Sequence, residues 1–219
     1  MYKPVGRGLA NLAKRSLGDQ ISLLGPIGKG FDPVPGRPLI LAIGGGVGIP
    51  PVFFLAELLK DQVQTEILVF MGSEVPFPFE LRESDAQIDG ISAEISASVA
   101  TLDDWGITSR LASNAGFPNC YKGYVPDLAR RWLSALTAER VAQVQIVACG
   151  PMLMLEATAA LARDFSLPCQ VAVEEYMACG VGGCAGCTIL VRTADGPSMK
   201  RVCVDGPVFA ASDVFPEPG

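Results

Sequence analysis

The chain has 219 residues, and 49% of them are hydrophobic, enough for one large domain or two small ones around a sizeable core. A formal net charge of −6 argues against a nucleic-acid binder and against attachment to an anionic membrane surface. The most apolar stretch, 39–59, has the length of a membrane span, but four glycines and two adjacent prolines divide it into strand, turn and helix, so no transmembrane segment is expected.

Residues 1–37 are too few for a core of their own. Turn signals stand at Val5-Gly6-Arg7-Gly8 and Gly18-Asp19-Gln20. A short helix is expected over 9–17 and a strand over 20–24, followed by a Gly-rich loop over 25–31. This segment reads either as an arm packed on the rest of the chain or as the end of a larger domain. Leu39-Ile40-Leu41-Ala42-Ile43 is a buried-strand run, and Gly44-Gly45-Gly46-Val47-Gly48-Ile49-Pro50-Pro51 leads from it into an apolar helix ending near Lys60. A strand that feeds glycines into a helix start presents outward backbone N–H groups and the positive end of a dipole, which suits a phosphate. The sequence differs from the usual G-x-G-x-x-G, and a tight turn without a ligand is the plainer alternative.

A strand is expected over 66–72, the start of a helix over 77–83, a strand over 93–100 and a helix over 127–137. Another strand is expected over 143–149, turned by Gly150-Pro151 into a helix over 152–164. Alternating strands and helices imply a parallel sheet covered on both faces, with the ligand at the carboxyl ends of its strands. Gly44, Gly45, Gly46, Val47 and Gly48 lie at one such end, and Cys149, Gly150 and Pro151 at another. Glu74, just past the strand over 66–72, is a candidate ribose contact, with a surface carboxylate as the alternative.

Strands over 170–175 and 188–192 frame Cys179-Gly180-Val181-Gly182-Gly183-Cys184-Ala185-Gly186-Cys187, and Cys203 comes later, on a strand expected over 200–204. The C-x4-C-x2-C…C spacing is that of a plant-type [2Fe–2S] site. Three thiolates reach two irons from one short loop, and glycines permit the tight wrapping and bring N–H groups near sulfur. The competing readings are structural zinc and disulfides. Zinc sites favour C-x2-C pairs or histidines, and the chain has no His. Disulfides need an oxidising compartment, and seven cysteines with no export signal fit a reducing cytoplasm. Cys120, Cys149 and Cys169 fall outside the motif and read as buried free thiols. A Pro-rich coil is expected to end the chain.

With these residues in view, the chain resembles the electron-transfer subunits of class 1B dihydroorotate dehydrogenases, in the ferredoxin–NAD(P)+ reductase superfamily. The stretches that carry the resemblance are Tyr2-Lys3-Pro4-Val5-Gly6-Arg7-Gly8, residues 24–31, residues 44–51, Cys149-Gly150-Pro151 with Met154, Met177-Ala178-Cys179 through Cys187, and Cys203-Val204-Asp205-Gly206-Pro207-Val208-Phe209. The resemblance implies an α/β fold in three parts: the end of an FAD-binding β-barrel (1–37), a parallel-sheet NAD-binding domain (38–166), and a small β-rich [2Fe–2S] module (167–219). It implies Cys179, Cys184, Cys187 and Cys203 as cluster ligands, Gly44 to Gly48 as the dinucleotide cradle, and Cys149-Gly150-Pro151 beside the nicotinamide. FAD contacts would fall at Met1, Tyr2, Lys3, Gly8 and Leu9. The implied partner is an FMN-containing dihydroorotate dehydrogenase catalytic subunit in a cytoplasmic hetero-oligomer serving pyrimidine biosynthesis.

Three departures accompany the resemblance. Most of the barrel, with its R-x-x-S-type flavin motif, has no counterpart here, so a fragment or an internal start is expected. Leu9 stands where the family has Thr. Trp105 follows Asp103-Asp104 where the family has Gly, and a longer loop precedes Lys122-Gly123-Tyr124-Val125. Electron counting supports a flavin all the same: a nicotinamide gives up two electrons together and the cluster takes one, so a carrier able to divide the pair must stand between them. A reductase subunit of a hydrogenase or of another NAD(P)H-linked oxidoreductase is the alternative partner assignment. A non-catalytic cluster-binding fragment is the alternative outside enzymes.

Overall fold

The computed structural model describes residues 6–193 and 195–217, so Met1, Tyr2 and Lys3 lie outside the described residues. Helix α1 (Gly6–Leu12) begins and ends earlier than expected. The strand expected over 20–24 is irregular: Leu23 is 84% exposed and the segment has no ladder partner. An apolar run becomes a strand only where a neighbour takes up its N–H and C=O groups. The segment first meets the sheet region at Lys29, bridged to Pro207.

The core is built on β1 (Leu39–Gly45), buried along its whole length. It pairs in parallel with β2 (Glu66–Gly72) on one side and β6 (Val144–Cys149) on the other. The sheet extends through β5 (Thr108–Ala112) beyond β2, and through β7 (Cys169–Ala172) and β10 (Val208–Ala210) beyond β6. Only β10 runs antiparallel to its neighbour among these six strands. Successive side chains of β1 face opposite ways. Leu39, Leu41 and Ile43 pack with α4 (Val125–Ala135) and α6 (Met152–Asp164). Ile40 and Ala42 pack with α2 (Ile49–Leu59) and α3 (Ala100–Asp104). The continuous apolar run of β1 is thus the mark of a sheet covered on both faces, the α/β reductase-type architecture expected.

Several expectations are corrected. The helix expected over 77–83 is replaced by β3 (Leu81–Glu83), antiparallel to β4 (Ala97–Val99). Pro76 and Pro78 lack the N–H groups a helix needs, and the alternation sends Phe77 and Phe79 into an aromatic group. Phe53 joins it, 6.2 Å from Phe79 and 5.2 Å from Trp105, with the Lys60 ammonium 4.5 Å above the Trp105 ring. Trp105 therefore closes this aromatic group. Strand β4 covers only the later part of the run expected over 93–100.

Strand β5 was not expected, because Thr-Ser-Arg-Leu-Ala reads as polar. Ser109 and Arg110 are nevertheless buried. The Ser109 hydroxyl accepts from the Val99 amide at 3.0 Å, and the Arg110 guanidinium donates to the carbonyls of Ser109, Ser84 and Ala86.

After α4, a short helix α5 (Ala138–Val141) leads into β6. The hairpin of β8 (Thr188–Thr193) and β9 (Gly196–Arg201) comes after the cysteine loop. Cys203 sits in the turn after β9 and not on a strand. The tail forms β10 and the short helix α7 (Ala211–Val214) where coil was expected.

Two glutamines fasten the linker before β1. Gln145, 2% exposed, accepts from the Val34 amide at 2.7 Å and donates to the carbonyls of Val34 and Arg37. Gln170 accepts from the Asp32 amide at 3.0 Å and donates back to the Asp32 carbonyl.

Candidate functional site

Two loops meet at the carboxyl end of the sheet because β1 and β6 are neighbours in register, with Gly44 opposite Cys149. Gly46 to Gly48 form one 3-10 turn, and α2 starts immediately after it with Pro50 and Pro51 in the first turn, where missing N–H groups cost nothing. A Cβ on Gly48 would collide with the Cys149 carbonyl and the Gly150 amide. One on Gly45 would come 2.5 Å from the Met154 sulfur, and one on Gly150 would come 2.6 Å from the Met154 methyl. The loops are therefore in backbone contact, with Met154 wedged beside them. Gly46, at φ +54°, has open space on its side-chain face, and Val47 is exposed. The structure thus brings Gly44 to Gly48 together with Cys149, Gly150 and Pro151. Glu74 lies past the end of β2, where its carboxylate accepts from the Asn114 amide at 3.2 Å.

Beside Cys149 a groove of about 540 Å³ runs along the ends of β6, β7 and β10. Phe31, Pro51, Phe54, Met177 and Cys149 give it apolar walls, and Glu174 adds a carboxylate. Burial, with a smaller contribution from the charge of Glu174, pushes the Cys149 thiol up to about 12. It is a neutral, small, weakly polar surface and no nucleophile.

The cysteine loop hangs between β7 and β8. It holds left-handed backbone at Gly180, Gly182 and Ala185. The four thiols lie close together: Cys179 neighbours Cys184, Cys187 neighbours Cys203, and the charge of Cys179 also reaches Cys203. Backbone N–H groups point at sulfur: Val181 to Cys179 at 3.5 Å, Gly186 to Cys184 at 3.4 Å and Cys203 to Cys187 at 3.5 Å. The N–H of Val181, followed by that of Cys184, brings the Cys179 thiol down to about 6. The Cys203 N–H lowers Cys187, while burial and then the Cys187 thiol raise Cys203.

Four thiols, three of them with a backbone N–H directed at sulfur, suit a [2Fe–2S] cluster, which takes four thiolates and is tuned by hydrogen bonds to sulfur. Cys187 and Cys203 are buried in the core and Cys184 is exposed, so this donor set has an inner and an outer edge.

Gly8 and Leu9 are not brought to this end of the molecule by any described hydrogen bond. They lie on α1, which has no buried residue. Residues 6–30 meet the cysteine loop at Gly180, where a Cβ would lie 3.1 Å from Ile27 and 3.6 Å from Leu24. Sequence reasoning missed Arg201 and Asp205. The Arg201 backbone N–H, then its guanidinium, hold the Asp205 carboxyl below the usual carboxylate range, and Arg201 also reaches the Gly182 carbonyl. Opposite charges four apart astride Cys203 were the available signal.

A doubly covered parallel sheet with a Gly-rich strand–helix turn, carrying a Gly-rich four-thiol loop at the same end, defines a reductase-type electron-transfer protein. Comparison with known proteins agrees. The family model described as the iron–sulfur cluster binding domain of dihydroorotate dehydrogenase B matches residues 174–215. A relative from Caldanaerobacter subterraneus subsp. tengcongensis, named dihydroorotate dehydrogenase B (NAD(+)), electron transfer subunit, is 34% identical over 98% of this chain and 74% of its own length. Proteins of the same name from Geobacillus sp. and Listeria innocua are 33% and 30% identical, over 98% of this chain and 72% and 73% of theirs.

The chain belongs to the family of dihydroorotate dehydrogenase B electron transfer subunits. Its fold is shared with a solved NADH-dependent reduced ferredoxin–NADP oxidoreductase, at a TM-score of 0.69 and 24% identity over 97% of this chain and 67% of that one. Among the described residues no helix is long and apolar enough to cross a membrane.

Proposed function

We propose that this chain relays electrons between NAD(H), FAD and a [2Fe–2S] cluster to the FMN-containing catalytic subunit of a dihydroorotate dehydrogenase, in a cytoplasmic hetero-oligomer that serves pyrimidine biosynthesis. The observation that carries the reading is the loop that gathers Cys179, Cys184, Cys187 and Cys203, with the backbone N–H groups of Val181, Gly186 and Cys203 directed at sulfur, after β7 of the sheet whose β1 feeds the glycine turn. The three-part division at 37 and 166 belongs to the same reading. When bound, a flavin divides a hydride's electron pair and the cluster passes electrons on singly.

The residues of the chain then have distinct tasks. Gly44 to Gly48 would cradle a pyrophosphate at the start of α2, where Gly46 has open space on its side-chain face. Cys149, Gly150 and Pro151 give the nicotinamide a flat wall without a charged or reactive side chain. The apolar groove beside Cys149 excludes water from a planar ring. Cys187 and Cys203 would hold a cluster on its buried side, and Cys179 and Cys184 on the side nearer solvent. None of these tasks needs an acid–base residue, and the chain has no His. Met1, Tyr2, Lys3, Gly8 and Leu9 belong to the flavin side of the reading.

The test is anaerobic reconstitution with iron, sulfide and FAD, and then addition of NADH. Two irons and two sulfides per chain, a reddish-brown colour and bleaching by NADH are expected. A colourless protein that takes up one zinc would overturn the reading. Co-expression with a catalytic subunit should yield a complex that reduces NAD+ with dihydroorotate.

A further inference from the structure

Arg201 has no part in the proposed relay, yet it touches both arms of the thiol loop. Its Nη1 donates to the Gly182 carbonyl at 3.2 Å. Its backbone N–H and its Nε donate to the same Asp205 carboxylate oxygen, at 2.8 and 3.4 Å. Its carbonyl accepts from the amides of Asp205 and Gly206 at 2.8 and 3.4 Å. One residue thus ties the turn between Cys179 and Cys184 to the turn that carries Cys203. There is little slack: Gly182 is at φ +80°, and a Cβ there would come 2.6 Å from Val204 and 3.3 Å from the Arg201 Nη1. The Arg201 and Asp205 side chains are 41% and 30% exposed, so solvent weakens their fields without abolishing them.

We propose that the Arg201–Asp205 pair sets the reduction potential of a cluster held by Cys179, Cys184, Cys187 and Cys203, and that Arg201 also pins the loop through Gly182. The proposal rests on the reading of those four cysteines as cluster ligands. Reduction adds one negative charge to the cluster. A neighbouring cation favours that charge and a neighbouring carboxylate opposes it. The two act in opposite directions, so removing either one moves the potential in a direction of its own. Arg201 and Asp205 are positioning residues, because neither is a ligand.

The test compares Arg201→Gln, Arg201→Lys and Asp205→Asn in reconstituted protein. The readouts are iron and sulfide content, visible absorbance, and the midpoint potential by anaerobic titration monitored by EPR. Arg201→Gln should shift the reduction equilibrium about threefold toward the oxidised cluster, roughly 30 mV for one electron. Asp205→Asn should shift it by a similar factor the other way. Arg201→Lys should keep a near-native potential but lose its cluster faster, because it cannot reproduce the fork to Gly182 and Asp205. A packing role alone would move both charge-removing variants alike. Shifts of one sign, or no shift in loaded protein, overturn the proposal. If Arg201→Gln fails to load, Asp205→Asn decides, and an unmoved potential there overturns it. Native protein that takes up no cluster would refute the ligand reading itself.

Discussion

At Gly48 the chain has no room for a side chain, because the backbone of the β6–α6 turn occupies that space. Gly48→Ala must therefore push the two loops apart. Overpacking of this kind costs about 1–3 kcal/mol, and the displacement should weaken NADH binding as well. Urea unfolding together with an NADH titration separates the two effects; unchanged values in both would show that the loops do not abut. The thiols differ as sharply from one another. Burial, aided at Cys149 by the charge of Glu174, pushes Cys149 and Cys169 up to about 12, against a usual value of 9.0. Between pH 9 and 12 the unfolded thiols ionise while the folded ones keep their protons. The unfolded state then binds fewer protons, so stability falls as pH rises through this window. Cys149→Ala should flatten that fall, measured by urea unfolding across the range. In cluster-free protein at pH 7, iodoacetamide should label Cys179, held at about 6, well ahead of Cys149 and Cys169, as peptide mass spectrometry would record.

Among the elements, the linker before β1 has little apolar surface of its own and is held by side chains of β6 and β7. Gln145 supplies three of these hydrogen bonds from a buried position. Gln145→Leu should lower the unfolding free energy by about 1–3 kcal/mol, since linker groups lose their partners away from water. Amide exchange at Val34 should quicken in step, and an unchanged rate there would count against the staple. Strands β1, β2 and β6 were legible because both of their faces are buried, which demands unbroken apolar runs. Strand β5 was not legible, because Ser109 finds its partner in β4 and Arg110 in the 84–86 loop, segments that come beside it only in the folded chain. The strand expected over 20–24 failed for the opposite reason: Ile21, Leu23 and Leu24 are apolar but no neighbour among the described residues completes a ladder.

For the whole molecule, the relay depends on two loops distant in sequence ending at the same edge of one sheet. Replacing any one of Cys179, Cys184, Cys187 and Cys203 by Ser should markedly reduce cluster content while the α/β core still unfolds cooperatively. Iron analysis beside circular dichroism would check this, and full cluster retention in any one variant would remove that residue from the ligand set. The sequence by itself determined the chemistry and the fold class, since thiolate spacing and apolar periodicity are local properties written along the chain. Which residues face each other was decided only by the tertiary structure. The approach of Cys203 to Cys187, the Arg201 bridge to Gly182, the collision that forbids a side chain at Gly48 and the capture of the tail as β10 all depend on segments that meet only in the folded chain. Contacts of that kind arise from packing, and local patterning does not encode them.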